Sequence, residues 1–290
     1  MTAKKQHQKL ISNSMIQDFT LHTHTIDFDG KNTAEQMLDT AQKHGLKTVG
    51  ISNHFIVHPD IKKATFYPFS VTGGYNRMYN DNFKKAISNF QEHYEHLERI
   101  AAESSINILR GMELDLFDSK RWYNGYAHTV KILNPDYIIG AAHFIEYGGK
   151  LCNIHDMKNA SPDDQDQMLQ AYWEKLQWIA KSGLCNFLAH IDLPARQNLG
   201  LDEKWVDFEQ KTTDIIAESG IPVEINTSLY KRLDRPHPSP RIMQMCADKK
   251  IPMFLSDDSH HIDHVCKHFE DAKKYADSFG VNLISLDKIL

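Results

Sequence analysis

Histidines and carboxylates are concentrated in one short stretch near the amino terminus, TLHTHTIDFDGKN, residues 20–32. His22 and His24 are two residues apart behind an apolar lead-in, and Asp27 and Asp29 follow them. On a β-strand, residues i and i+2 point to the same face with their backbones roughly 6.5 Å apart, so both imidazoles can face one metal ion. An isolated HxH pair is weak evidence, so the question is whether other segments supply further ligands.

Other candidate ligands lie at the ends of predicted strands. Seven short apolar segments rich in β-branched residues are predicted to be strands: 18–24, 47–54, 106–117, 136–144, 184–190, 221–228 and 251–258. All but the sixth end in potential metal ligands: His22 and His24, His54, Glu113, His143, His190, and Asp258 with His260. Taken singly, His143 reads as a core histidine, Glu113 as a solvated carboxylate and Asp258 as a helix cap. Their recurrence at the same end of successive strands favours one shared site.

Amphipathic helices alternate with these strands and are predicted at 32–45, about 75–103, 163–181, 203–219, 240–248 and 265–278. In the first, Asn32 is the predicted N-cap, Glu35 occupies N3 and Gly45 is the predicted C-cap. The alternation predicts right-handed βα units and a parallel sheet. Because a closed barrel brings the carboxyl ends of six strands to one mouth, the ligand pattern favours a barrel of seven βα units over an open sheet.

Composition restricts the possible partners. The 290 residues carry a formal net charge of −5, which provides no general attraction to nucleic acid. The four cysteines are scattered without a CxxC pair, and no segment has the length and apolarity of a signal peptide core or a membrane span. We expect a cytoplasmic chain with reduced thiols, a short extension over residues 1–17 and a single domain over 18–290.

A set of motifs distributed along the chain resembles a known superfamily. HTHTIDFDGKNT, GISNH, GMELD, GAAH, AHIDL, EINTS, PSPRIM and LSDDSH match, in order and spacing, the polymerase-and-histidinol-phosphatase (PHP) superfamily, especially its stand-alone histidinol-phosphate phosphatases. The resemblance covers about residues 18–285. It implies an α/β fold, a distorted (β/α)7 barrel, with three divalent metal ions at the carboxyl ends of the strands.

The resemblance also implies a ligand set. The first ion is assigned to His22, His24, Glu113 and Asp258, the second to Glu113 as a bridge with His143 and His190, and the third to Asp29, His54 and His260. Some members have histidine at the position of Asp29, and Asp27 is a nearby competitor for that role. Gly30 is expected to let the chain fold back so that Asp29 faces inward. The D-x-H register of SDDSH selects Asp258 over Asp257, which is assigned to support.

These nitrogen and oxygen ligands, without cysteine, suit Zn, Fe or Mn. With Glu113, Asp258 and His260 as the predicted catalytic residues, we hypothesise that a hydroxide bridging two ions attacks a small phosphomonoester, L-histidinol phosphate, releasing L-histidinol and phosphate. Arg196 and Arg235 are predicted to bind the phosphate. The aromatic segment 55–79 is either a lid over the mouth or a packed loop.

Several alternatives stay open from sequence alone. One is a phosphoesterase of the same superfamily that acts on nucleoside monophosphates or nucleotide ends, and another is a metal-binding barrel without catalysis. An amidohydrolase barrel also begins with HxH, but it often has a strand lysine where this chain has Glu113. Glu224 is interpreted as a possible acceptor for a metal-bound imidazole, whereas His93 and His96 are assigned to a long polar helix without a role in the site.

Overall fold

A parallel barrel is the centre of the computed structural model, which describes residues 16–64 and 77–290. In chain order, the strands described are β1 (Phe19–Thr20), β2 (Thr48–Ile51), β3 (His54–Val57), β4 (Tyr79–Asn80), β5 (Asn107–Asp115), β6 (Tyr137–Ala141), β7 (Phe144–Tyr147), β8 (Lys150–Asn153), β9 (Phe187–Leu188), β10 (Val223–Asn226) and β11 (Met253–Ser256). Seven of them pair in parallel in the order β1-β2-β5-β6-β9-β10-β11. Each lies within one of the seven predicted segments, so the predicted barrel is confirmed.

Side-chain and loop contacts, instead of a continuous ladder, close the barrel between β11 and β1. The Gln17 side chain donates to the Leu255 carbonyl at 2.7 Å and accepts from the Leu255 amide at 2.9 Å, as a paired strand residue would. At the mouth, the His24 amide donates to the Ser259 carbonyl at 2.8 Å, and the Ser259 amide donates to the His22 carbonyl at 3.1 Å. These bonds hold the HTH segment against the end of β11.

Helices follow the barrel strands and cover the outside of the sheet. Those described are α1 (Ala34–Lys43), α2 (Phe83–Ala101), α3 (Lys120–Leu133), α4 (Pro162–Ser182), α5 (Val206–Ser219), α6 (Pro240–Asp248) and α7 (Phe269–Ser278). Six of them overlap predicted helices, whereas α3 is missing from the sequence assignment. Gly125 interrupts its pattern, and a Cβ there would lie 2.1 Å from the Phe83 ring. Across residues 16–64 and 77–290, no helix combines the length and the apolarity needed to cross a bilayer.

The first helix begins one residue later than the sequence predicts. Thr33 is its N-cap in place of Asn32, because the Thr33 hydroxyl accepts from the Gln36 amide at 3.3 Å and the Gln36 side chain accepts from the Thr33 amide at 3.1 Å. This reciprocal pair is a capping box, so Gln36 and not Glu35 occupies N3. Gly45 follows the C-cap instead of forming it, and with φ 83° it turns the chain toward β2.

Four strands outside the barrel order extend its carboxyl side. β3 pairs with β5 so that His54 is opposite Glu113, and β4 pairs with β3. β7 and β8 form an antiparallel hairpin directly after β6. The first fifteen residues of the predicted extension, the centre of the predicted lid (65–76) and the predicted helix start near Tyr75 lie outside the described residues.

The barrel interior has its own apolar core, separate from the larger core between sheet and helices. Its buried members are Phe19, Leu21, Tyr137, Ile139, Ala141, Phe187, Ala189, Phe254 and Ile289. Tyr137 fills the space left by two glycines: a Cβ on Gly50 would lie 2.1 Å from the Tyr137 hydroxyl oxygen, and one on Gly111 would lie 2.2 Å from its Cζ. The hydroxyl donates to the Leu21 carbonyl at 2.5 Å. One ring therefore joins four barrel strands or their ends.

We predict that Gly111→Ala lowers the free energy of unfolding by about 1–3 kcal/mol, because the added methyl group overpacks the barrel interior. Urea denaturation measures the change. The matched background is Tyr137→Leu, in which the clashing ring is absent and Gly111→Ala should cost less. An equal loss of unfolding free energy in both backgrounds would show that contact with Tyr137 is not the reason for glycine at position 111.

Candidate metal centre

The inward-facing rows of the barrel strands continue into polar side chains at the mouth. The row that includes Gly50 on β2 continues beyond that strand through Ser52 to His54, the first residue of β3, and the row that includes Ala141 continues just past β6 to His143. Because alternate residues of a strand face the same side, a row that begins in the apolar interior ends in an imidazole. The carboxyl ends of parallel barrel strands meet at one mouth, so these side chains are gathered in one volume.

Glu113 lies at the centre of the gathered side chains and is fully buried. Its Oε2 lies 3.3 Å from His22 Nε2 and 3.5 Å from His24 Nε2. Its Oε1 lies 3.1 Å from His190 Nε2 and 3.3 Å from His143 Nε2. Its Oε2 also lies 2.7 Å from His54 Nδ1. The two oxygens of one carboxylate therefore face different sets of imidazoles, which is the geometry of a bridging ligand.

Asp258 completes the first of these two groups. Its Oδ1 lies 3.6 Å from His22 Nε2 and 3.4 Å from His24 Nε2, and its Oδ2 accepts from the Ser228 hydroxyl at 3.1 Å. The backbone of Asp258 has φ 48°, and that of His190 has φ 25°. Residues with a Cβ rarely adopt this left-handed region, and such strain is characteristic of functional sites.

Asp29 belongs to a further group beside the first two. Its Oδ2 lies 2.9 Å from His260 Nε2 and 3.3 Å from His54 Nε2, and its Oδ1 lies 3.3 Å from His24 Nδ1. A Cβ on Gly30 would lie 2.8 Å from the His24 carbonyl oxygen, so close backbone approach imposes the glycine. The chain thus folds back at Gly30 with Asp29 facing inward, as expected, and the reason that a Cβ is excluded is contact with the His24 backbone, because the φ of Gly30 is not positive.

Asp27 faces away from this group, toward helix α2. Its Oδ2 lies 2.8 Å from His93 Nδ1, and His93 Nε2 lies 3.0 Å from the Asn53 side-chain nitrogen. The sequence places His93 on a long polar helix but does not predict that its side chain is buried. The alternating polar pattern of the helix hid this buried position. The structure thus brings Asp29 to the cluster and assigns Asp27 to a bond with the neighbouring helix.

Buried carboxylates hold the outer nitrogens of two imidazoles. Glu224 Oε2 lies 2.9 Å from His22 Nδ1, and Asp115 Oδ2 lies 3.0 Å from His143 Nδ1. A carboxylate at Nδ1 favours the tautomer whose Nε2 lone pair faces the cluster. Glu224 is placed as the sequence suggested, whereas Asp115 was missed. Its position two residues after Glu113 in GMELD, on the same strand face, was the available signal.

Asp257 lies beside the cluster and supports the loop that carries Asp258. It accepts from the Thr20 hydroxyl at 3.0 Å and from the Cys266 amide at 2.7 Å, and burial raises its pKa to about 6. Within residues 16–64 and 77–290, its carboxylate makes no hydrogen bond or ion pair with an imidazole nitrogen of the cluster. The D-x-H register thus separates two adjacent aspartates, one turned into the cluster and one turned to the backbone.

Six buried polar atoms of the cluster make no hydrogen bond within the part of the chain that the structure describes. They are His22 Nε2, both ring nitrogens of His24, Asp29 Oδ1, His54 Nδ1 and Glu113 Oε2. These atoms approach one another, with His54 Nδ1 2.7 Å from Glu113 Oε2, without forming a hydrogen bond. A buried polar atom without a hydrogen bond costs about 1–3 kcal/mol, so six in one place require an explanation. Sets of these atoms lie within 4.8 Å of one another, close enough to bind shared ions. The donors are imidazole nitrogens and carboxylate oxygens, which suit divalent transition metals.

The electrostatics of the cluster also favour cations. Burial by itself would raise the pKa of Glu113, but the facing imidazoles of His54, His22 and His143 hold that pKa well below its usual value. Burial lowers the pKa of His54, and the Glu113 and Asp29 carboxylates outweigh it and raise that pKa well above its usual value. Divalent ions and protons therefore compete for the same nitrogens, and metal affinity should fall on acidification.

A cavity of about 260 Å³ opens on the cluster. Asp29, Asp258 and His260 line one side, and Arg196 and Lys231 lie in its wall. Among the described residues Arg196 Nε is buried without a hydrogen bond, and burial lowers the pKa of the guanidinium. A cation with an unsatisfied donor in the wall of this cavity is suited to an anionic ligand.

Arg235, the second predicted phosphate ligand, does not line this cavity. Its guanidinium donates to the Pro236 carbonyl at 3.0 Å and lies 3.7 Å from the Asp192 carboxylate. Lys231, which the sequence analysis did not select, takes the corresponding place in the wall. Its position in the loop after β10, a βα connection at the mouth, was the signal for it.

Comparison with known proteins identifies the family and agrees with the barrel. The model of the PHP domain family matches residues 18–228. A probable histidinol-phosphatase of Deinococcus radiodurans is 22% identical over 201 residues, which cover 68% of this chain and 75% of the relative. Among solved structures, a histidinol phosphate phosphatase of Lactococcus lactis, determined with zinc, L-histidinol and phosphate, has a TM-score of 0.64 at 17% identity and covers 92% of this chain and 95% of its own.

A second solved structure has the same fold. It is a protein of Listeria monocytogenes described as a histidinol phosphatase, with a TM-score of 0.67 at 17% identity, and the match covers 87% of this chain and 99% of that one. At these identities the two structures establish the barrel fold. The family match is independent of them and spans well over half of the chain, including the HTH segment, Glu113, His143 and His190. This protein belongs to the PHP domain family.

Proposed function

We propose that this protein is a metal-dependent phosphomonoesterase that hydrolyses L-histidinol phosphate to L-histidinol and phosphate. The observation that carries the proposal is the shared Glu113 carboxylate in a cluster of buried imidazoles, which opens on a cavity lined by Arg196, whose buried Nε has no hydrogen bond among the described residues. The family membership supports phosphoester chemistry. The names of the relatives, and the ligands bound to the Lactococcus protein, support the choice of organic group.

In this proposal the nine clustered residues hold three divalent ions. His22, His24 and Asp258 share one ion with Glu113, and His143 and His190 share a second ion with the same carboxylate. Asp29, His54 and His260 hold the third. When bound, such ions supply Lewis-acid polarisation of the phosphoryl group and a water molecule of lowered pKa.

The other side chains of the cavity bind and orient the substrate. Arg196 and Lys231 lie in the cavity wall beside the cluster. In this proposal they bind the phosphoryl oxygens that point into the cavity, away from the cluster. His155, from the segment that follows the β7–β8 hairpin, lies in the same cavity, and burial lowers its pKa to about 4. His155 is therefore neutral near pH 7 and faces the organic part of the substrate without repelling a cationic amine.

The decisive measurement is a phosphate-release screen on protein of known metal content. We predict that kcat/KM for L-histidinol phosphate exceeds that for AMP and for simple sugar phosphates by at least ~100-fold, because a site that pairs an amine and an imidazole leaves polar groups unpaired with other esters. Comparable rates for all three would indicate a general phosphomonoesterase. Absence of phosphate release from every ester, with ions bound, would indicate a barrel that binds metal without catalysis.

Metal analysis of two aspartate variants tests the third ion. Asp29→Asn is expected to reduce the metal content from three ions per chain to two and to lower turnover, because Asn replaces the charged oxygen that faces His54 and His260. Asp27→Asn is the matched control, since its amide oxygen can still accept from His93. If Asp27→Asn loses the ion and Asp29→Asn retains it, the ligand is misassigned. If both retain full content, Asp29 is not a ligand.

Two arginine variants test the phosphate site. Arg196→Met is expected to lower kcat/KM by about 10- to 100-fold, the range for losing a hydrogen bond to a charged group. Arg235→Met should change kcat/KM by less than about threefold, because its guanidinium is directed to the Pro236 carbonyl and Asp192. Steady-state kinetics on metal-loaded protein compare the two. Equal losses would contradict the assignment of phosphate binding to Arg196.

A further inference from the structure

A buried lysine of helix α4 lies behind the metal centre. The Lys175 side chain is 11% exposed, and its Nζ donates to Asp115 Oδ1 at 2.6 Å and to the Phe144 carbonyl at 2.6 Å. The same ammonium group lies 4.1 Å from the centroid of the Phe117 ring. Burying a charged lysine is costly unless it is paired and hydrogen-bonded, so these contacts mark a position built for this side chain.

The two hydrogen bonds of Lys175 go to groups that contact or adjoin His143. Asp115, which accepts one bond through Oδ1, uses its other oxygen, Oδ2, to accept from the His143 backbone amide at 2.9 Å and lies 3.0 Å from His143 Nδ1. Phe144, whose carbonyl accepts the second bond, is the next residue in the chain. Lys175 therefore holds both the carboxylate partner of the His143 ring and the backbone that carries that ring.

The arrangement differs from the support of the His22 imidazole. Glu224, which faces His22 Nδ1, is held through its other oxygen by the Asn226 side chain at 2.6 Å and the His190 amide at 3.0 Å. Those partners are neutral and lie within the barrel. Asp115 instead accepts through Oδ1 from a cation on a helix outside the barrel, in addition to the His143 amide that donates to its Oδ2.

We propose that Lys175 is a positioning residue for the metal centre: by fixing Asp115 and the Phe144 carbonyl, it holds His143 Nε2 toward Glu113. The inference rests on the proposed function, in which His143 and Glu113 share an ion. It extends that function by making an outer helix responsible for the geometry of one ligand. Partners of this kind commonly change metal affinity or activity by about 10- to 100-fold.

The test compares Lys175→Met, Asp115→Asn and the double variant. Titration of loaded protein with a competing chelator should show one of the ions released about 10- to 100-fold more readily in Lys175→Met. Turnover should fall with little change in KM, because Lys175 does not line the cavity. If Lys175 acts through Asp115, the double variant should be no worse than Asp115→Asn alone. Lys175→Gln, which retains the stem and a donor, replaces Lys175→Met if that variant does not fold.

Lys204→Met is the matched control. Lys204 also bonds an aspartate, Asp166, at 2.6 Å and lies 5.7 Å from the Trp205 ring centroid, but its side chain is 53% exposed. It should retain wild-type ion affinity. A Lys175 variant that loses thermal stability but keeps wild-type ion affinity would overturn the proposal, and so would fully additive losses in the double variant. Because chelator titration needs no substrate, these outcomes remain distinct from a failure of the proposed phosphatase activity.

Discussion

The site depends on one electrostatic constraint: a carboxylate without solvent access must be neutralised by the groups that face it. Glu113 is at the centre of the barrel mouth, and its two oxygens face different imidazoles. Isolated in an apolar core, such a charge would be very costly. Gathered imidazoles, and the divalent ions that we propose for them, make it favourable. The need to surround this one carboxylate explains why so many polar side chains occupy an otherwise apolar barrel.

The barrel meets this constraint through strand periodicity. The interior of the barrel is filled by rings such as Tyr137 and Phe254, and the same inward rows become polar only at their carboxyl ends. Packing and chemistry are thereby separated along each strand. The apolar layer supplies stability, and the residues at the carboxyl end of each row supply ligands. A ligand can therefore be changed with little effect on the core beneath it.

Support for the ligands comes from three levels of the fold. Within the barrel, Glu224 holds His22. Between adjacent strands, Asp115 on β5 holds His143 at the end of β6. From outside the barrel, Lys175 on α4 holds Asp115. Each level adds a fixed hydrogen bond to a group that would otherwise rotate, and a ligand held in one orientation loses less conformational entropy when it binds an ion.

Sequence alone was sufficient for the seven strands, the barrel and the residues at the strand ends, because period-two apolar segments, HxH spacing and motif order are local signals. It selected Asp29 and left Asp27 as a competitor, and it did not place the N-cap at Thr33 or find α3, Asp115 and Lys231. The partners of the two carboxylates depend on tertiary contacts: His93 draws Asp27 away, and Lys175 holds Asp115 from a helix sixty residues along the chain. The N-cap is instead decided locally, by Gln36 three residues after Thr33. Local patterns determine which side chains reach the mouth, whereas their partners are determined by approach of distant segments, because hydrogen bonds act only over about 3 Å.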